Sequence, residues 1–215
     1  MMDLKRERVA SMAAILLLVL VANGFVSANE DGEDVSMTVA MSFTIESKIL
    51  GESRPVLVNL PRGYGDNQQR HPALIVLDGS PTMTSLASAS LFDRTIPGFI
   101  IVAVPNVDRL RDLSHESIAE IWPTSGGADS FLAFLTDELA PWIDAKFRTS
   151  GYRVITGGSA AGRFATFALL EAPEVFDAAI ARSPVLGTAY EMFSGLVTSA
   201  ATQKSNGEHF LFLVY

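Results

Sequence analysis

A serine flanked by small residues lies where a predicted strand meets a predicted helix. The apolar residues 154–156 run directly into residues 157–162, Gly-Gly-Ser-Ala-Ala-Gly, and helix-forming residues follow. Such a sharp turn exposes a serine hydroxyl, which can then attack an acyl carbonyl. The helix after Ser159 points its positive dipole end at the site. The backbone amide of Ala160 is therefore a candidate donor to the oxyanion of a tetrahedral intermediate.

The turn needs small residues, because strand and helix approach each other closely around a strained serine. Gly157 and Ala161 occupy the two tightest positions, although glycine is the usual residue at the second. Two other interpretations compete with a nucleophile. A phosphate-binding loop is disfavoured, because the segment lacks the Gly-Lys-Ser/Thr ending. A tight turn without chemistry stays open on these six residues alone.

The surrounding pattern predicts an α/β domain with a mostly parallel sheet. Residues 38–45 alternate in part between apolar and polar side chains, and residues 54–60 form a second strand, in which Pro55 suggests an edge position. Unbroken apolar runs predict strands covered on both faces. These runs are residues 73–77, 99–104, 154–156, 178–181 and 210–214. Helices are predicted at 131–143, with Pro141 as a kink or break, at 160–170 and at 190–202.

Composition limits the classes of function. The chain has 215 residues, of which 48% are hydrophobic and 19% charged, with no cysteine and a formal net charge of −8. This length and composition are typical of one domain with a sizeable core. The negative charge argues against nucleic acid as a partner, because nucleic acids select basic surfaces. Without cysteine, stability has to come from the core and not from disulfides.

The first 28 residues are typical of a secretory signal peptide. A basic start precedes an apolar run at 9–22, and small residues at 26–28 offer a cleavage site. An uncleaved membrane anchor is the alternative, but the run is shorter than the roughly 20 residues that span a bilayer. After cleavage we expect an acidic flexible tail at 29–36 and one domain over 37–215. The prediction is a periplasmic or secreted bacterial protein with no stable membrane span.

Several segments, in one order along the chain, make the sequence similar to a known family. They are 74–79 (Leu-Ile-Val-Leu-Asp-Gly), 106–113 (Asn-Val-Asp-Arg-Leu-Arg-Asp-Leu), 126–132 with 137–143, 147–149 with Arg153, the serine turn and 176–184. Together they resemble the esterase family that includes the enterochelin (siderophore) esterases, within the α/β-hydrolase superfamily, from about residue 43 onward. The resemblance implies the α/β-hydrolase fold, with flanking helices and antiparallel N-terminal strands. It also implies Ser159 as the nucleophile, with neither metal nor cofactor expected.

The resemblance also implies a second oxyanion donor in the loop after the third strand, at Gly79 or Ser80. A simple turn after the strand is an equal alternative for this loop. Asp108, Arg109 and Arg111 lie at the carboxyl end of a predicted strand, where such folds place their sites. They are candidates for contact with an acidic or polar substrate, and a structural ion-pair role is the favoured alternative.

A serine needs a base, usually a histidine oriented by a carboxylate, and this superfamily orders them serine, acid, histidine. Only His209 follows Ser159, and we expect it, with Glu208, at the amino end of a strand and away from the turn. His71 is expected to be exposed, and His115 is disfavoured by the family order. Because Tyr215 falls near the end of a predicted strand, we expect a C-terminally truncated domain whose acid and histidine are missing.

The predicted activity is serine-dependent hydrolysis of a small-molecule carboxylic ester, impaired in this chain if the triad partners are absent. Acyl transfer to an alcohol by the same fold is one alternative, and the residues do not discriminate against it. A non-catalytic envelope binding module that keeps the fold without the chemistry is the other.

Overall fold

The computed structural model describes residues 40–79, 98–118, 120–187, 190–202 and 208–214. The predicted signal peptide (1–28), the acidic tail (29–36) and Ser80 lie outside these ranges. None of the helices within them is long and apolar enough to cross a membrane.

Seven strands in the described ranges form one sheet in the order β1-β2-β4-β3-β5-β6-β7. The strands are β1 (Met41–Ser47), β2 (Glu52–Asn59), β3 (His71–Leu77), β4 (Ile100–Val104), β5 (Thr149–Gly158), β6 (Ala178–Arg182) and β7 (Phe210–Val214). β1 and β2 pair antiparallel, as do β2 and β4, and every other neighbouring pair is parallel. The predicted mostly parallel sheet with antiparallel N-terminal strands is therefore confirmed.

Helices connect the strands from β4 to β7, as the pattern predicts. They are α1 (Arg109–Leu113), α2 (Ala128–Ala133), a π-helical segment (Phe134–Leu139), α3 (Ala140–Lys146), α4 (Ala160–Glu171) and α5 (Tyr190–Thr202). Pro141 neither kinks a regular α-helix nor ends one. It lies in the first turn of α3, directly after the π-helical segment. A proline is tolerated in a first turn, and a π-helical turn absorbs the local irregularity.

The core lies on both faces of the central strands. All five residues of β4 are buried, and the apolar run of β3 is nearly so, which explains why their sequences do not alternate. Phe134 and Phe164 are fully buried and lie in the same apolar cluster as Ile75 of β3. This packing fixes β5 and α4 on one scaffold, and the turn between them carries Ser159.

Two expectations about individual strands are wrong. Pro55 does not mark an edge, because β2 lies between β1 and β4. Pairing with β4 covers only Leu57–Asn59, so the missing amide of Pro55 falls in the half of β2 that has β1 alone as a neighbour. The apolar run in β7 is not covered on both faces either, since all five of its residues are exposed.

Candidate active site

Ser159 lies at a strained turn between β5 and α4. Its backbone angles are φ 56° and ψ −121°, a conformation that non-glycine residues rarely adopt. Two hydrogen bonds hold this backbone. The Ser159 amide donates to the carbonyl of Arg182 on β6 at 2.9 Å, and the Ser159 carbonyl accepts from the Arg163 amide at 3.0 Å. The side chain is exposed, so the turn presents its hydroxyl at the carboxyl edge of the sheet.

The small residues of the turn are required by close packing. A β-carbon added to Gly157 would lie 2.6 Å from the backbone carbonyl atoms of Ala161, which is closer than real contacts allow. A β-carbon on Gly162 would lie 3.1 Å from the carbonyl oxygens of Gly157 and Arg182. Ala161 is fully buried, and its methyl group occupies the space that Gly157 leaves. The usual glycine is therefore not needed at position 161.

The amino end of α4 supplies the first candidate oxyanion donor. Ala160 is the first residue of this twelve-residue helix, and the first amides of a helix have no carbonyl partner within it. The helix dipole adds partial positive charge at the same place. The Ala160 amide is therefore free of a partner within the helix, and its role as an oxyanion donor stays a prediction.

The loop after β3 is the predicted source of the second donor. The Gly79 amide donates to the Val104 carbonyl at 3.1 Å, so this amide is already engaged with β4. A β-carbon on Gly79 would lie 2.6 Å from that of Ala103, which gives the glycine a packing reason of its own. The Ser80 amide therefore stays the predicted second donor, and Ser80 lies outside the described residues.

Asp78 and Arg109 form an ion pair at the same edge of the sheet. Nε of Arg109 lies 3.0 Å from Oδ1 of Asp78, and Nη2 lies 2.9 Å from Oδ2. The Asn106 side-chain amide also donates to Oδ1 of Asp78, at 2.7 Å. These contacts tie the loop after β3 to the loop after β4. The pair is partly exposed. Its role in the structure is to hold the segments after β3 and β4 together.

Asp108 and Arg111 also have partners within the fold. Asp108 caps α1 by accepting the Arg111 amide at 3.0 Å, and this bond lowers the pKa of the Asp108 carboxyl. The Arg111 guanidinium binds Glu52 at 2.6 Å and lowers the pKa of that carboxyl to about 2. Asp112 pairs with the buried Arg54 at 2.7 Å. The ion-pair alternative is thus supported for Arg109 and Arg111, while Asp108 serves as a helix cap. Contact with substrate stays a prediction for all three residues.

His115 packs against α4 some way from the serine. Its ring centroid lies 4.1 Å from that of Phe167, in an edge-on contact. Phe167 is eight residues after Ser159, which corresponds to about 12 Å along a helix. Burial lowers the pKa of His115 to about 4, and the charge of Arg163 adds to the decrease. In the structure, the neutral His115 ring therefore packs against Phe167 as an aromatic side chain.

The other two histidines lie at the amino ends of parallel strands. His209 directly precedes β7, at the amino end of a strand parallel to β5, and Glu208 lies beside it. His71 is the first residue of β3, and its Nδ1 lies 3.0 Å from the Gly98 carbonyl oxygen. The expectation that His71 is exposed is wrong, because only 5% of it is exposed. Ser159, by contrast, follows the carboxyl end of β5.

The depressed pKa of His115 predicts a pH-dependent stability. The unfolded chain binds a proton on this histidine near the ordinary pKa of 6.5, and the folded chain only near 4. Protonation therefore favours unfolding, so this contribution is present above pH 6.5 and is lost as the pH falls towards 4. We expect His115→Phe to remove this loss and to flatten the curve relative to wild type. Urea midpoints between pH 4 and 7 measure it, and parallel curves for the two proteins would contradict it.

A mostly parallel sheet with a strained serine between β5 and α4 defines the α/β-hydrolase class. The chain belongs to the family described as "Putative esterase", whose sequence model matches residues 47–210. The resemblance stated from sequence motifs is thereby confirmed.

Three relatives illustrate the similarity. The ferri-bacillibactin esterase BesA of Bacillus subtilis is 32% identical over 114 residues, 53% of this chain and 36% of that protein. The siderophore triacetylfusarinine C esterase of Aspergillus fumigatus is 29% identical over 151 residues, 62% of this chain and 52% of that protein. The solved structure of an IroE-like serine hydrolase from Shewanella oneidensis superposes with a TM-score of 0.72 at 29% identity, covering 81% of this chain and 60% of the other. The matches thus span between about a third and three fifths of each relative.

Proposed function

We propose that the protein is a serine-dependent carboxylic-ester hydrolase and that Ser159 is its nucleophile. The observation that carries the proposal is the strained, exposed serine at the β5–α4 turn, whose backbone amide donates a hydrogen bond to the Arg182 carbonyl. Membership of the esterase family supports hydrolysis of an ester. Export is part of the proposal and rests on the sequence of residues 1–28.

The proposed reaction has two steps. Oγ of Ser159 attacks the ester carbonyl carbon while a base takes its proton, and the alcohol leaves with a proton as the acyl-enzyme forms. Water then attacks the acyl-enzyme, which releases the carboxylic acid and restores the serine. The Ala160 amide, together with the Ser80 amide, would stabilise the oxyanion in both steps.

The proposed base does not come from the histidines of the described residues. His71 and His209 belong to the other edge of the sheet, and His115 packs on Phe167. The activity is therefore proposed for the whole protein. In a chain limited to the described residues, we expect only the small rate that binding and oxyanion stabilisation leave.

The names of the relatives suggest the class of substrate. Both curated relatives are esterases of siderophores, and we propose an ester of this iron-chelating class for this protein. A groove of about 330 Å³ is formed by the segment that follows β6, and Ser159 is not among its lining residues. Its lining residues are Leu186, Phe193, Ser194, Val197 and Thr198.

The test distinguishes three outcomes, hydrolysis, acyl transfer and binding without turnover, for each of three esters. The protein expressed from its native gene is incubated with 4-nitrophenyl butyrate, and then with the triester siderophores enterobactin and triacetylfusarinine C, with and without an added alcohol. We expect release of the free carboxylic acid, identified by mass spectrometry, at a rate independent of the alcohol. An acyl ester of the alcohol as the main product would indicate acyl transfer. Binding without turnover of any of these esters would favour a non-catalytic module.

A further inference from the structure

Arg182 is fixed beside the nucleophile by the sheet itself. It is the last residue of β6, its register partner on β5 is Gly158, and its carbonyl accepts the Ser159 amide at 2.9 Å. A β-carbon added to Gly158 would lie 3.7 Å from Nη2 and 4.0 Å from Cζ of Arg182. The guanidinium group therefore lies over the residue that directly precedes Ser159.

This guanidinium group has no carboxylate partner among the residues described. The two arginines of the neighbouring loop differ, since Arg109 is paired with Asp78 and Arg111 with Glu52. Arg182 is exposed, and no side chain of the described ranges is within ion-pair distance of it. Holding the fold together by an ion pair is therefore not its role in this part of the chain.

The position matters because the protein as a whole is acidic. With a formal net charge of −8, the surface repels anions at long range. A substrate with a negative group needs a local positive charge at the site to offset this repulsion. A guanidinium group provides one, with paired donors that match a carboxylate or two adjacent phenolate oxygens.

We propose that Arg182 binds an anionic group of the substrate close to the scissile ester. The substrate class is then an ester that carries a carboxylate or a deprotonated phenolic oxygen in its acyl or its alcohol part. The Arg182 backbone is fixed in the sheet and its carbonyl accepts the Ser159 amide, so its side chain starts from a fixed point beside the serine. It can therefore hold such a group near the reacting carbonyl. The proposal rests on the proposed esterase function and adds to it a selectivity for charge.

The test uses esters that match in shape and differ in charge. On the acyl side, 4-nitrophenyl hydrogen succinate is compared with 4-nitrophenyl butyrate, and on the alcohol side, 3-acetoxybenzoate with phenyl acetate. We expect Arg182→Gln to lower the ratio of kcat/KM, anionic over neutral, by about ten-fold in at least one pair, mainly through KM. The drop should shrink at high salt, and Arg182→Lys should keep part of the ratio.

Arg62→Gln is the matched control, since Arg62 is exposed and lies in the turn after β2. It should leave both ratios as in wild type, and thermal unfolding shows whether each variant is folded. An unchanged ratio in both pairs for folded Arg182→Gln and Arg182→Lys overturns the proposal, while Ser159-dependent hydrolysis would leave the esterase function standing. If no ester is hydrolysed, the esterase function fails and equilibrium binding decides about Arg182. Loss of the preference for 3-acetamidobenzoate over acetanilide in Arg182→Gln then supports the proposal, and no such preference in wild type overturns it.

Discussion

Replacing Ser159 by alanine is expected to lower kcat/KM for ester hydrolysis by about 10⁴- to 10⁶-fold in the protein expressed from its native gene. Oγ of Ser159 is the atom that forms the acyl-enzyme in the proposed reaction, and no other side chain in the turn carries a nucleophile. The alanine methyl group is smaller than the side chain it replaces, and the Ser159 side chain is exposed. Unfolding by urea should therefore change little, while initial rates with 4-nitrophenyl butyrate fall to the small rate that binding and oxyanion stabilisation leave.

Ser130→Ala is the matched control for this loss. Ser130 is an exposed serine on α2, outside the serine turn. Its replacement makes the same chemical change, serine to alanine, at a different site. We expect wild-type rates for this variant. Comparable rates for Ser159→Ala and Ser130→Ala would contradict the assignment of the nucleophile.

Of the two glycines before the serine, only Gly157 should be sensitive to an added methyl group. In Gly157→Ala the new β-carbon would lie 2.6 Å from backbone atoms of Ala161, so strand and helix must move apart. Overpacking of this kind costs about 1–3 kcal/mol of unfolding free energy. Because the same movement displaces Ser159, we expect a loss in kcat/KM of about 100-fold.

Gly158→Ala is the internal control, because its β-carbon would meet nothing closer than 3.7 Å. Gly158 also has no positive φ, so alanine can adopt its backbone conformation. We expect its unfolding free energy to stay within about 0.5 kcal/mol of wild type. Urea unfolding and 4-nitrophenyl butyrate hydrolysis measure both variants. Equal losses in the two would show that the close approach of β5 and α4 is not what the turn requires.

The parts of the fold that could be predicted from sequence are those with strong local signals. Unbroken apolar runs identified β3 and β4, because strands buried on both faces have no reason to alternate. The serine turn was recognisable, because the close approach of strand and helix requires small residues at Gly157 and Gly162 on either side of the serine. Family motifs in register then pointed to the α/β-hydrolase fold.

Features that depend on pairing over long distances were not predictable in this way. Pro55 suggests an edge strand, yet β1 covers that edge, and no local signal states how far β4 extends. The engagement of the Gly79 amide with Val104 depends on a neighbouring strand. Arg182, which we propose as an anion-binding residue, was not predicted from the sequence. Its only signal is a charged residue that ends the otherwise apolar run of β6, beside the serine turn.

The measurement that tests the central claim most directly is the site of covalent labelling by a fluorophosphonate. The protein expressed from its native gene is treated with the probe, digested and analysed by tandem mass spectrometry. The account predicts phosphonylation of Ser159 in the peptide that contains residues 157–162, loss of ester hydrolysis in step with labelling, and no label in Ser159→Ala. Ester hydrolysis that persists with Ser159 unlabelled, or a label on a different residue that tracks the loss of activity, would contradict it.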